Sequence, residues 1–107
     1  MSAPDRFVYI WEYAVRPEAV ARFRAIYGPA GDWVRLFARS PGFVRTELYR
    51  DAHDPHRFVT VDVWRSAAAR DQFRTEHADA FAALDRACAA LTEAERFLGD
   101  FHVEEDA

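Results

Sequence analysis

The sequence predicts an α+β domain of the ferredoxin-like kind: a βαββαβ chain whose four strands make one antiparallel sheet with the helices on one face. Three observations carry this. Phe58-Val59-Thr60-Val61-Asp62-Val63-Trp64 is β-branched and aromatic, free of Gly and Pro, and long enough for a strand. Its near-continuous apolar character marks a central strand buried on both faces. Two stretches with apolar residues at helical spacing alternate with four strand-like runs in the order strand, helix, strand, strand, helix, strand. Finally, 107 residues and 12.3 kDa suit one domain, which buries roughly two thirds of the surface of its unfolded chain.

The first strand spans residues 6–15. Phe7, Tyr9, Trp11, Tyr13 and Val15 alternate with Val8, Ile10, Glu12 and Ala14, so the aromatic side chains share one face and need a large cover. Pro17 suits the first turn of a helix and Glu18 its positive end. Val20, Phe23 and Tyr27 recur at helical spacing until Gly28-Pro29 interrupts, and a second run carries Trp33, Val34 and Phe37 before Ser40-Pro41-Gly42. Strand two covers 43–50. Its mixed charges mark it as an edge, with Val44, Thr46 and Leu48 opposing Phe43, Arg45, Glu47 and Tyr49. A polar loop at 51–57 makes strands two and three a hairpin. Ser66 is a suitable helix cap. The helix that follows carries Ala69, Phe73, Phe81, Leu84, Cys88 and Leu91, with His77 filling the missing place in the stripe and a bend expected near Asp79. Thr92-Glu93-Ala94-Glu95 fits a capping box and predicts a short helical turn. Residues 97–103 read as the last strand. The domain thus runs over 6–104, with 1–5 and 105–107 as flexible tails.

Composition excludes several function classes. The net charge of −4 gives no basic footprint for nucleic acid. One cysteine, Cys88, rules out an internal disulfide and reads as packing. No apolar stretch approaches a membrane span, and no secretory signal is evident at the start, so the expectation is a cytoplasmic protein without a membrane partner. Aromatic residues make up 15% of the chain, more than a small core needs, which points to a lined pocket or a subunit interface.

Asp62 is the anomaly. A carboxylate in a central strand must be paired or must face a wet cavity. With both helical layers on one face of the sheet, the other face is bare. If Val59, Val61 and Val63 lie on that bare face, a second copy must cover it, giving a homodimer. Phe58, Thr60, Asp62 and Trp64 then look toward the helices, where His77 also points, and a cavity is expected there.

Several short motifs, in this order and spacing, make the chain resemble the antibiotic biosynthesis monooxygenase-like family of dimeric α/β barrels. They are Val15-Arg16-Pro17-Glu18, Ser40-Pro41-Gly42-Phe43, Val63-Trp64-Arg65-Ser66 and the helical His77. The resemblance implies the fold, the dimer and a cavity within each subunit. It also implies that the activity lies among oxygenases without metal or flavin, haem-degrading enzymes, quinone-linked enzymes and members without assigned activity. The haem-degrading branch has a strand-three Trp like Trp64 and a helical His that His77 resembles, but an Asn where this chain has Trp11, whose indole occupies space a porphyrin needs.

The favoured expectation is therefore a cofactor-independent monooxygenase acting on a small phenolic or enolic aromatic compound. His77, steadied by Asp62, removes a proton, and the resulting anion reacts with dioxygen. Tyr9, Trp11, Tyr13, Tyr27, Trp33 and Trp64 bind the substrate, and a tyrosine hydroxyl holds the oxyanion. Each has a plainer reading. A histidine on an apolar stripe is often a buried side chain bonded to a neighbour, and aromatics at strand or helix spacing are often only core. His53 and His56 with Asp51 and Asp54 lack the ligand spacing of a metal site and read as a solvated loop. Glu12 has Arg45 or Arg65 as its expected partner. A non-catalytic protein holding a small aromatic or haem, and a dimerisation scaffold, are the alternatives.

Overall fold

The computed structural model describes residues 6–104, so the tails expected at 1–5 and 105–107 lie outside the described residues, apart from the boundary at 104. Four strands, β1 (Phe7–Val15), β2 (Phe43–Arg50), β3 (Arg57–Trp64) and β4 (Thr92–His102), form one antiparallel sheet in the order β2-β3-β1-β4. The run around Asp62 is thus an interior strand, and β2 lies at an edge. Four helices follow the expected connections: α1 (Val20–Tyr27), α2 (Asp32–Phe37), α3 (Ala67–Glu76) and α4 (Ala78–Cys88). Pro17 opens the first helical segment as a 3-10 turn, Pro17–Ala19. The Ser66 hydroxyl accepts the Ala69 amide at 3.1 Å and caps α3.

Strand parity is resolved by burial. Phe58, Thr60, Asp62 and Trp64 are all at most 5% exposed and face the helices, whereas Val59 and Val61 are only half-buried on the opposite face. The inward aromatics of β1 continue this core. Tyr13 packs on Phe23 and Tyr27, which stack with ring centroids 4.2 Å apart. At the other end Trp64 is fully buried among Phe37, Phe43 and Phe73.

Gly31 sets the approach of α2. A Cβ there would run into the backbone oxygens of Ala25 and Ile26, which no side-chain rearrangement can relieve. The close turn over Gly28–Gly31 brings Trp33 down onto the sheet side, buried beside Tyr27, Phe37 and Phe81.

Four expectations need correction. Residues 92–95 are not a helical turn. The helical end is the 3-10 turn Ala89–Leu91, and β4 begins at Thr92 because Val15 pairs with it. The alternation along β2 breaks at a bulge between Phe43 and Arg45, so Phe43, Thr46 and Leu48 lie opposite Trp64, Asp62 and Thr60, respectively. Glu12 pairs with Arg57 at 3.2 Å and Arg96 at 3.1 Å, its neighbours on the flanking strands, and not with Arg45 or Arg65. The helix break expected near Asp79 falls at His77, whose φ of −118° and ψ of 30° end α3 and start α4.

Candidate functional site

The inward side chains of β3 explain why space is left in this layer. Phe58 and Trp64 are large, and Thr60 and Asp62 between them are small. Across the sheet, Asp62 sits between Thr46 and Tyr9, and Thr60 sits between Leu48 and Trp11. The helices rest on the bulky ends of this row and bridge its short middle. The result is a cavity of about 230 Å³ between sheet and helices. Its floor is Tyr9, Trp11, Tyr13, Thr46, Thr60 and Asp62. Tyr27, Trp33, Phe37 and Phe81 wall it from the helices, and Arg74, Asp85 and Glu95 stand at its exposed margin.

Asp62 is 5% exposed and has one protein partner among the described residues: the Thr46 hydroxyl donates to Oδ1 at 2.5 Å. One hydrogen bond does not replace the hydration a carboxylate gives up. Burial therefore pushes the Asp62 carboxyl up to about 7, against the lowering pull of Thr46. The tyrosines move the same way. Burial first, and then the Asp62 charge, hold Tyr9 well above the usual phenol range. Burial also raises Tyr13 and Tyr27. All three stay neutral near pH 7 and keep their O–H groups. The Tyr13 hydroxyl lies 3.1 Å from Thr60 Oγ1, whereas that of Tyr9 has no hydrogen-bond partner among the described residues.

Of the residues singled out in the sequence, Tyr9, Trp11, Tyr13, Tyr27, Trp33 and Asp62 come together around this space. Two do not. Trp64 lies wholly inside the neighbouring aromatic cluster and supports the wall through Phe37. His77 is half-buried at the α3–α4 junction, its ring 5.1 Å from that of Phe73, and it neither lines the cavity nor bonds Asp62. The physical reason is the helix break. A continuous stripe would carry His77 onto the core side, but its non-helical backbone turns the stripe there.

Sequence reasoning passed over Thr46, Arg74, Asp85 and Glu95. Thr46 was within reach, because the register of a hairpin centred on the 51–57 loop pairs it with Asp62. Arg74 and Asp85 are ordinary charges on helix surfaces and carry no signal until the helices are placed. Glu95 was hidden by the misread start of β4. Burial, with Asp85 nearby, raises its carboxyl.

The histidine-to-haem arrangement that the family resemblance allows is not formed at this cavity. The space is below the roughly 300–1,000 Å³ of pockets for drug-sized ligands, Trp11 occupies its floor, and His77 is not directed into it. Among the described residues no cluster of three metal-ligating side chains occurs.

The profile of the family described as "Antibiotic biosynthesis monooxygenase" matches residues 6–84. No curated protein sequence matches the chain. Among solved structures, the chain is similar to SnoaB, a cofactor-independent oxygenase from Streptomyces nogalater, at 24% identity and a TM-score of 0.77, over 95% of this chain and 96% of that one. A protein from Bordetella bronchiseptica, provisionally assigned as an antibiotic biosynthesis monooxygenase, gives 21% identity and 0.73 over 96% and 99%. PA3566 from Pseudomonas aeruginosa gives 19% and 0.66 over 100% and 99%. At these identities the structural likeness establishes the fold.

The raised Asp62 carboxyl makes stability depend on pH. In the unfolded chain it ionises near the ordinary value of 3.8, but in the folded protein it holds its proton until about 7. Its contribution is complete below pH 4 and is lost as pH rises toward and through 7, by on the order of 4 kcal/mol at most. Chemical denaturation at stepped pH should show the wild type losing stability relative to Asp62→Asn across that window. A difference that does not change with pH would contradict the assignment.

Proposed function

Since the chain belongs to the antibiotic biosynthesis monooxygenase family, we propose that it oxidises a small phenolic or enolic aromatic compound with dioxygen, using neither flavin nor metal. The observation that carries this reading is a buried carboxyl, held by one threonine, on the floor of an aromatic-walled cavity, where burial pushes it up to about 7. A general base works best with its pKa near the working pH. Asp62 is the one inward group on the floor that changes charge there, since the three tyrosines stay protonated.

In the proposed reaction Asp62 takes a proton from an acidic O–H or C–H of the bound ring system. Thr46 holds one carboxyl oxygen in place and leaves the other for the substrate. The neutral Tyr9 hydroxyl donates to the oxyanion that forms. The electron-rich anion passes an electron to dioxygen, and the radical pair joins as a carbon-bound peroxide. The proton on Asp62 returns to the peroxide. At a carbon that began as CH₂, the second hydrogen leaves as the O–O bond breaks, giving a carbonyl and water. The carbon loses four electrons and dioxygen gains four, one oxygen atom ending in the carbonyl and one in water. Trp11, Tyr13, Tyr27 and Trp33 stack on the ring and keep water away. In this reading His77 and Trp64 shape the site and do not touch the substrate.

The same reading takes the protein as a homodimer. Val8, Ile10, Val59 and Val61 form a half-buried apolar centre on the sheet face away from the helices, flanked by Glu12, Arg45, Glu47 and Arg96. A face of this kind is covered most simply by its own copy.

Oxygen uptake with a panel of hydroxynaphthalenes and bicyclic enolisable aryl ketones tests the chemistry. The wild type should accelerate uptake with at least one compound, and Asp62→Asn should reduce that rate by roughly 10²–10⁴-fold. Uptake unchanged in the variant, or absent with every compound, would refute the proposal. For assembly, light scattering should give a mass of two chains, and Val61→Glu should shift it toward one. A wild type that stays at one chain at all concentrations contradicts the dimer.

A further inference from the structure

The margin of the cavity is electrically divided. Arg74 of α3 acts on Tyr9, whereas Asp85 of α4 and Glu95 of β4, which lie near each other, act on Tyr13, four residues further along β1. Arg74 differs from its neighbour one turn earlier. Arg70 lies over the rings of Phe7 and Tyr9 and is bound by Asp71 at 2.8 Å and Asp100 at 3.2 Å. It is part of the frame that ties α3 to β4. Arg74 also has an aromatic seat, with its guanidinium carbon 4.5 Å from the centre of the Phe81 ring, but among the described residues it makes no ion pair and no side-chain hydrogen bond. Stacking holds a guanidinium by its face and leaves the N–H groups at its edge available. The cation also lies close enough to Tyr9 to act on its hydroxyl, so its charge is felt at the floor.

We propose that Arg74 is the anion-recognising residue of this cavity, and that the ligand is a mono- or bicyclic hydroxyarene bearing a carboxylate. The ring lies among Trp11, Tyr13 and Trp33, the carboxylate takes the edge of the Arg74 guanidinium, and Asp85 and Glu95 repel it from the Tyr13 end. Only one orientation satisfies both margins. This fixes which edge of the ring meets Asp62. Planar two-point binding of a carboxylate is the geometry a guanidinium offers and an ammonium does not. The ring size follows from the modest volume of about 230 Å³. The choice of a hydroxyarene rests on the oxygenase reading above; the anion preference does not.

Calorimetric titration with 3-hydroxy-2-naphthoate and with 2-naphthol, its counterpart without the carboxylate, tests this. The wild type should bind the naphthoate at least about tenfold more tightly. Arg74→Gln should bring the two affinities together by weakening the naphthoate alone, Arg74→Lys should retain part of the preference, and Asp62→Asn should keep it. A wild type that binds the naphthoate no better than the naphthol, or that binds neither, overturns the proposal, as does a preference retained in Arg74→Gln. If the preference depends on Arg74 while oxygen uptake is indifferent to Asp62→Asn, the oxygenase reading fails and this one stands. The reverse pattern removes this one alone.

Discussion

One carboxyl group, placed inside the sheet-helix layer with a single threonine to hold it, is the constraint on which the site depends. Asp62 occupies a position where a central strand ordinarily carries an aliphatic residue. A branched apolar side chain there would line the same cavity but bring no titrating group to it. A short polar one, next to the equally short Thr60, leaves the layer unfilled at its centre while Phe58 and Trp64 prop it open at either side. The short row of Thr60 and Asp62 beneath the cavity thus includes the group that titrates within it.

The surroundings are matched to that group. The walls are aromatic, and among the described residues none of those side chains bonds the carboxylate, whose one side-chain partner is Thr46. Desolvation then outweighs the one stabilising contact from Thr46, and the group is left near its midpoint at neutral pH. Burial first, and then that charge across the pair of adjacent strands, hold the proton of Tyr9 more tightly. Cavity, carboxyl and phenol therefore form one electrostatic unit. The burial that disfavours the ion in the resting protein is the condition for a proton to move at pH 7.

Much of the architecture was legible because it rests on short-range patterns. The period of two in residues 58–64 and in β1 identified both strands and the face that each presents. Pro17, Gly28-Pro29 and Ser66 marked helix boundaries through local backbone chemistry. What failed depended on neighbours. The bulge between Phe43 and Arg45 changes the parity of β2 at Val44, an ordinary strand residue whose type gives no sign of it. Thr92 follows a strand partner, Val15, that lies 77 residues away, and so the capping-box pattern lost to sheet pairing. His77 fitted a stripe of apolar spacing, but the stripe assumed one unbroken helix. The cavity aromatics were found because strand alternation places them. The margin charges were not, because Arg74 and Asp85 acquire a role only once α3 and α4 lie over the sheet.

The proposed chemistry depends on the proton affinity of Asp62 in the folded protein. The direct measurement is a carbon-detected NMR titration of the side-chain carboxyl, with the Asp62 resonance assigned by its absence in Asp62→Asn. A midpoint close to 7 is predicted. A midpoint near 4, the value of an ordinary solvated aspartate, would mean that the cavity floor carries a fixed anion, and the proposed base would lose its physical basis.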